Sequence, residues 1–293
     1  MSAEFSGIPL WLGAMDAAVL RVLRSATGRE AAAYRLVNAY TLYSAKGPSA
    51  YRTVLTGQGT NFIDGKPLAL LMRRLNEDQG TEQVRGPDLF ERCLDTGRAA
   101  GVRHFFFGAT PETLEALRER MVAKYPGLDV VGVHAPAFGP FSAADHETFA
   151  RVLHAADPDV VWVGLGTPRQ DIEAARLTRT LGVTTVAVGA AFDFSAGNKP
   201  AAPALFRALG LEWTFRLISE PGRLWRRYLF GNTYFLGAAL RHVLRFRSAA
   251  RPERDPGHRP PVEQVAVVRL RSIPQVDAEE PGHPTFRRAP GEG

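Results

Sequence analysis

The chain has 293 residues, 45% of them hydrophobic, which is enough to bury a globular core in one or two domains and excludes disorder as its dominant state. Of its 36 basic side chains 32 are arginines, and the net charge of +6 is confined to one stretch. Residues 1–215 and 248–293 are each neutral, whereas 216–247 sets Arg216, Arg223, Arg226, Arg227, Arg241, Arg245 and Arg247 against Glu220 alone, a localised basic face suited to a phosphate-rich partner or an anionic membrane.

The N-terminus has neither a basic leader nor a long apolar run, so no secretory signal is read and a cytoplasmic location is expected. Alternation of short β-branched or aromatic runs, Gly or Pro turns and amphipathic stretches predicts an α/β fold: a Rossmann-like, mostly parallel sheet with flanking helices. The first expected strand is 34–39, with Asn38 and Thr41 as polar groups at its end. Next, Asp64 follows a short apolar pair and precedes Gly65, a placement that suits either a turn residue or a general base. The 88–100 stretch reads as a helix, and the lone cysteine, Cys93, is assigned to its packing.

Strands are then expected at 103–107, 128–133, 160–163 and 184–188, with helices at 111–124, 145–155 and 169–181 between them. Three of these strands end in glycine, at Gly108, Gly164 and Gly189, where a parallel sheet presents its ligand crevice. Thr110-Pro111 and Thr167-Pro168 both read as a helix cap followed by proline at the first helical position. The 164–170 loop gathers Gly164, Gly166, Thr167, Arg169 and Gln170, a candidate anion cradle. Asp193, between Phe192 and Phe194, calls for a partner or a ligand. Asp157-Pro158-Asp159 has the form of a metal motif but precedes a strand, which places it opposite the crevice as a solvated turn.

Beyond about 203 the helical character continues, and a long or broken helix is expected from Pro221 to about Arg247 as a separate appendage. On a helix Arg216, Arg223 and Arg227 share a face, although Pro221 interrupts it. Aromatic residues among these arginines give the composition of an interfacial helix. The apolar run 228–240 has 13 residues, short of the roughly 20 needed to cross a bilayer. Eight of the 21 prolines fall in 248–293, which reads as a disordered tail with one apolar patch at 265–270. The expected division is therefore a catalytic domain at 1–215, the appendage at 216–247 and the tail.

The glycine pattern at Gly164 and Gly166 lacks the third glycine of a dinucleotide fingerprint, and no phosphate-binding GxxxxGK[ST] occurs. Three readings follow: a sugar-nucleotide enzyme, a nucleotide-dependent oxidoreductase disfavoured by that gap, and a nucleic-acid-binding protein disfavoured by the neutral body and absent motifs.

The stretches VNAYT (37–41), DG (64–65), RGPDLF (85–90), FFFGATPETLEALRERMVAKYPGLDVVG (105–132), VGLGTPRQD (163–171), VGAAFDFSAGNKPAAP (188–203) and LGLEWTFRLISEPGRLWRRYLFGNTYFL (209–236) together resemble the WecG/TagA/CpsF glycosyltransferase family. The resemblance implies transfer of an N-acetylmannosamine-type sugar from a UDP donor to an undecaprenyl-diphosphate-linked sugar at the cytoplasmic membrane surface. It implies inversion at the anomeric carbon, no metal and no cofactor. Asp64 is then the candidate base, with Asn38 and Thr41 beside it. Gly164, Gly166, Thr167, Gln170 and Asp193 fall to the nucleotide side, where the strand-end glycines Gly108 and Gly189 are also expected to bind substrate, and Arg216, Arg223 and Arg226 fall to the diphosphate. Self-association in the family extends the expectation to a homo-oligomer, and no nucleic-acid partner is implied. The 134–138 segment, HAPAF, departs from the Gly-Tyr-Phe-like turn of many members.

Overall fold

The computed structural model describes residues 1–200, 202, 203, 206 and 211–249; the side chains of Arg223 and of 245–249 lie outside the described residues, as do the 250–293 part of the expected tail and its 265–270 patch. The fold is α/β, built on a six-stranded sheet in which every neighbouring pair is parallel. The strands are β3 (Ala33–Val37), β4 (Thr60–Ile63), β5 (Arg103–Gly108), β6 (Asp129–His134), β7 (Val160–Gly164) and β8 (Thr184–Ala187), in the spatial order β4-β3-β8-β7-β5-β6. A small antiparallel hairpin, β1 (Ser2–Phe5) and β2 (Ile8–Trp11), precedes them.

Helices α1 (Met15–Thr27), α5 (Gly86–Gly97) and α6 (Pro111–Lys124) cover one face of the sheet, and α7 (Ala143–Ala156) and α8 (Arg169–Leu181) cover the other. Strand β5 shows why its apolar run is continuous, since both faces are buried. Phe106 packs on Phe90 with ring centroids 5.4 Å apart, and Phe105 and Phe107 turn to the opposite side, where Phe107 meets Phe149 at 4.9 Å. Trp162, wholly buried on β7, sits edge-on to Phe90 at 5.0 Å and gives its indole N–H to His104 Nδ1 at 3.1 Å. Burial lowers the His104 pKa to about 3, so the imidazole is a neutral core acceptor. Cys93 is buried on α5, the packing role expected for it.

A third cluster joins the hairpin to α2 (Ala39–Ser44), α3 (Ala50–Thr56), α4 (Lys66–Leu75) and the C-terminal helix. After the short α9 (Ala191–Ser195), the chain is described again as α10 (Glu212–Ser219) and α11 (Pro221–Ala249). Phe235 and Ala238 of α11 enter this cluster beside Phe5 and Leu42. Pro221 opens α11 after Glu220 has ended α10, the interruption expected from its missing N–H. Helix α10 spans the position where appendage and body were divided.

Two local expectations are corrected. The strand expected to reach residue 39 stops at Val37, because Asn38 caps α2. Thr167 does not cap α8; Pro168 occupies that position, and the Gln170 side chain takes the loop N–H of Gly166 instead. Thr110 does cap α6, accepting the Thr113 N–H at 3.3 Å. Asp157 lies at the opposite end of the sheet, paired with Arg29 at 2.9 Å and Arg103 at 2.7 Å, and these guanidinium groups hold its carboxyl down at about 2.

Candidate active site

Parallel pairing puts the carboxyl ends of β3, β4, β5, β7 and β8 along one edge of the sheet, and the residues that follow them converge there. Asp64 leaves β4 with its N–H on the Val37 carbonyl at 2.9 Å and its own carbonyl accepting from the Gln83 side chain. Its carboxylate accepts the Asn38 Nδ2–H at 3.2 Å. Asn38 is itself fixed: Oδ1 accepts the N–H groups of Tyr40 at 3.1 Å and Thr41 at 3.2 Å, and the Thr41 hydroxyl accepts the Asn38 N–H at 3.3 Å. This capping box commits the amide oxygen to α2 and leaves the NH₂ group for Asp64.

Burial raises the Asp64 pKa above the usual carboxylate value, against the lowering pull of Arg216, the Asn38 hydrogen bond and Arg85. Glu212 adds a further raising contribution. Glu212 receives a two-point contact from Arg85, at 2.8 and 3.0 Å, and a second guanidinium from Arg216 at 2.5 Å. This Arg85–Glu212–Arg216 chain fastens α10 to the start of α5. Arg216 also lies over the Phe194 ring, 4.6 Å from its centroid.

Two cavities meet at Asp64. The first, about 300 Å³, runs between α2, the start of α4 and the two C-terminal helices, with Tyr40, Lys66, Trp213, Asn232, Phe235 and Leu236 among its walls. The second, about 350 Å³, lies over the carboxyl ends of β7 and β8. Asn38, Asp64, Arg216, Arg227 and Tyr228 line both. A carboxylate able to hold or release a proton thus stands at the junction of a loop-lined pocket and a largely helix-lined one, the arrangement that a base between two substrates requires.

Of the residues picked from the sequence, Asn38, Asp64 and Arg216 line both cavities, and Gly164, Gly166, Thr167, Gln170, Gly189 and Asp193 line the second. Three stand elsewhere. Thr41 is wholly buried and acts on Asn38 through the capping box. Gly108, at φ 123°, lies behind the wall, where any Cβ would stand 2.6 Å from the Gly164 carbonyl oxygen. Arg226 is exposed and rests over Trp225 at 5.1 Å. The Arg223 side chain lies outside the described residues. Asp193 has its expected partner: Lys199 bridges it, at 3.0 Å, to Glu220, at 3.3 Å. Arg169 turns away from the crevice onto the Phe141 ring at 4.5 Å.

The residue selection missed Arg85, Glu212, Tyr228 and Asp171. Asp171 is wholly buried behind the site, accepts the Tyr51 hydroxyl at 2.7 Å, and is raised to about 7 by burial. Its neighbour Gln170 carried the signal, but nothing in the spacing pairs α8 with α3. Helical spacing grouped Arg227 with Arg216, and although the two lie on separate helices both line the two cavities; the motif match named Arg226 instead.

The model of the "Glycosyl transferase WecG/TagA/CpsF family" matches residues 3–249. A Bacillus spizizenii protein named N-acetylglucosaminyldiphosphoundecaprenol N-acetyl-beta-D-mannosaminyltransferase is 29% identical over 203 residues, covering 69% of this chain and 75% of that protein. A Bacillus subtilis protein of the same name is 27% identical over 221 residues, covering 75% and 83%. With the match spanning the sheet, the Asp64 junction and both C-terminal helices, the chain belongs to the WecG/TagA/CpsF family and is a glycosyltransferase.

Proposed function

We propose that this enzyme transfers an N-acetylmannosamine-type sugar from a UDP donor to a sugar carried on a polyprenyl diphosphate, in the synthesis of a bacterial cell-surface polymer. The observation that carries the reading is Asp64 at the junction of the two cavities, held by Asn38 and faced by Arg216. The names of the two Bacillus relatives supply the sugar and acceptor class.

In this reading the donor occupies the cavity over β7 and β8, where Gly166, Gln170 and Asp193 serve the nucleotide. The acceptor enters the other cavity, whose Trp213, Phe235 and Leu236 suit its lipid end. Asp64 takes the proton of the acceptor hydroxyl as that oxygen bonds to the anomeric carbon from the face opposite the diphosphate. The bond from the anomeric carbon to the phosphate oxygen breaks, UDP leaves, and the configuration inverts. Arg216 stabilises the charge that develops on the leaving diphosphate, with no metal required.

The 216–247 segment is the membrane-facing appendage in this proposal. Among the described residues no helix is long and apolar enough to cross a membrane. Helix α11 instead exposes Trp225, Leu229, Leu236, Leu240 and Leu244, at helical spacing and flanked by Arg226 and Arg241. An apolar stripe bordered by arginines lies in an anionic bilayer surface, on the inner face of the cell membrane where nucleotide-sugar donors are found.

The test incubates purified protein with UDP-N-acetylmannosamine and a short prenyl-diphosphate N-acetylglucosamine in EDTA, following UDP release and the glycolipid by mass spectrometry. The expected product is the β-linked disaccharide lipid. Failure to form it, with other UDP-hexoses also inert, would overturn the proposal.

A further inference from the structure

Arg227 and Arg226 are consecutive on α11, so their side chains leave the helix about 100° apart. Arg226 goes outward to Trp225, whereas Arg227 is half-buried and lines both cavities at their shared wall. Among the described residues Arg227 forms no ion pair and donates no hydrogen bond; its close contact is the face of Tyr40, 4.5 Å from the ring centroid. The other guanidinium on this wall is different, since Arg216 is already bound to Glu212, which Arg85 also occupies. Asp64 and Asp171 act on Arg227 only at longer range.

A guanidinium taken out of water without a counter-ion is costly, and it is retained where a ligand completes it. The wall carries Arg216 and Arg227 against Asp64, with Glu212 shared between Arg216 and Arg85. An anion entering from either cavity would meet a free planar fork of N–H donors, the geometry that suits paired phosphate oxygens. Burial also lowers the Arg227 pKa, in keeping with a charge that has no partner beside it.

We propose that Arg227 is a diphosphate ligand of this enzyme, donating to phosphate oxygens at the wall where the two cavities meet, while Arg226 belongs to the outer surface. The inference rests on the glycosyl-transfer reading of the site. Both proposed substrates carry a diphosphate, the donor as UDP and the acceptor as its prenyl diphosphate. The position of Arg227 on both cavities makes either one a candidate for its fork.

The test compares wild type, R227A, R227K and R226A by calorimetric titration with UDP and with uridine, and by the KM for the prenyl-diphosphate acceptor. R227A is expected to weaken UDP binding about 10- to 100-fold, the loss of a charge-assisted contact, while uridine affinity, which involves no phosphate, stays the same. R227K, which keeps the charge and loses the fork, falls between. If UDP binding is normal and the acceptor KM rises by that factor, the proposal holds with the acceptor's diphosphate as ligand. A cooperative thermal transition in R227A, or in R227K should R227A misfold, shows that the loss is local. Unchanged UDP affinity and acceptor KM in R227A, an equal loss for uridine, or transfer of the UDP loss to R226A would each overturn the assignment. A wild-type protein that binds neither UDP nor acceptor would overturn the glycosyl-transfer reading and this inference with it.

Discussion

Asn38 presents its Nδ2 to the Asp64 carboxylate at 3.2 Å while its Oδ1 caps the first turn of α2, so one amide both starts a helix and aims a carboxylate. The two duties separate on substitution. Asn38→Asp keeps an acceptor for the Tyr40 and Thr41 N–H groups but sets an acid against Asp64. We expect a folded protein whose kcat falls by about 10²-fold or more, within the range of general-base contributions. Asn38→Ala loses the cap as well, and should lower stability by about 1 kcal/mol. Thermal melting and single-turnover rates distinguish the variants; a fully active Asn38→Asp enzyme would remove Asn38 from the orientation of the base.

The pH profile follows from the charges around Asp64. In the proposed mechanism Asp64 works deprotonated, so activity should fall as pH drops through its pKa, which burial raises. Arg216 is the largest influence lowering that pKa. Arg216→Met should therefore move the acid limb of kcat/KM to higher pH, and Arg216→Lys should move it less. The linkage sign is also fixed: a carboxylate with a raised folded pKa favours the fold below its unfolded pKa and loses that contribution as pH rises through the folded value. Asp64→Asn should accordingly melt higher than wild type at neutral pH, without turnover. A lower melting temperature would show that the carboxylate supports the fold.

Gly231 lets α11 rest directly on the start of α2. A Cβ there would stand 3.2 Å from both Cα and N of Tyr40, with backbone rather than a flexible side chain to give way. Gly231→Ala should push α11, and Arg227 with it, away from Asn38 and Asp64, costing about 1–3 kcal/mol as overpacking does and lowering kcat/KM. A variant with wild-type melting and wild-type kcat/KM would mean that this contact sets nothing in the site.

Leu240 and Leu244 stand out from α11 at 61% and 53% exposure. Replacing both by Glu should abolish sedimentation with anionic vesicles and leave the UDP-induced melting shift in place. Vesicle binding that survives the pair would move the membrane contact to another surface.

Much of the central fold is legible from local chemistry. Thr110-Pro111 marks the start of α6, and the aromatic run from His104 to Phe107 marks a strand buried on both faces. The hairpin was not read, because Ser6-Gly7 is a less familiar two-residue turn than Asn-Gly even though both residues adopt positive φ, at 54° and 74°. Helix α2 was hidden because Val37, Ala39 and Tyr40 prolong the apolar strand pattern, and only the three-dimensional capping box reveals the break. Asp64 could be read as base or turn because its burial and its neighbours Asn38, Arg216 and Glu212 come from three separate parts of the chain. Helical spacing grouped Arg227 with Arg216, and both line the two cavities from separate helices.

Packing of α11 across α2 also has a consequence in time. Synthesis runs from the N-terminus, and the sheet with its glycine loops is complete before Glu212, Arg216 and Arg227 have been made. Until the last two helices dock, Asp64 lacks Arg216 and Arg227, and the cavity beside α4 has no far wall. In the proposed mechanism catalytic competence is thus the final event of this chain's folding, and a nascent or truncated copy holding the sheet alone would carry the Asp64 carboxylate with neither of the arginines that complete its site.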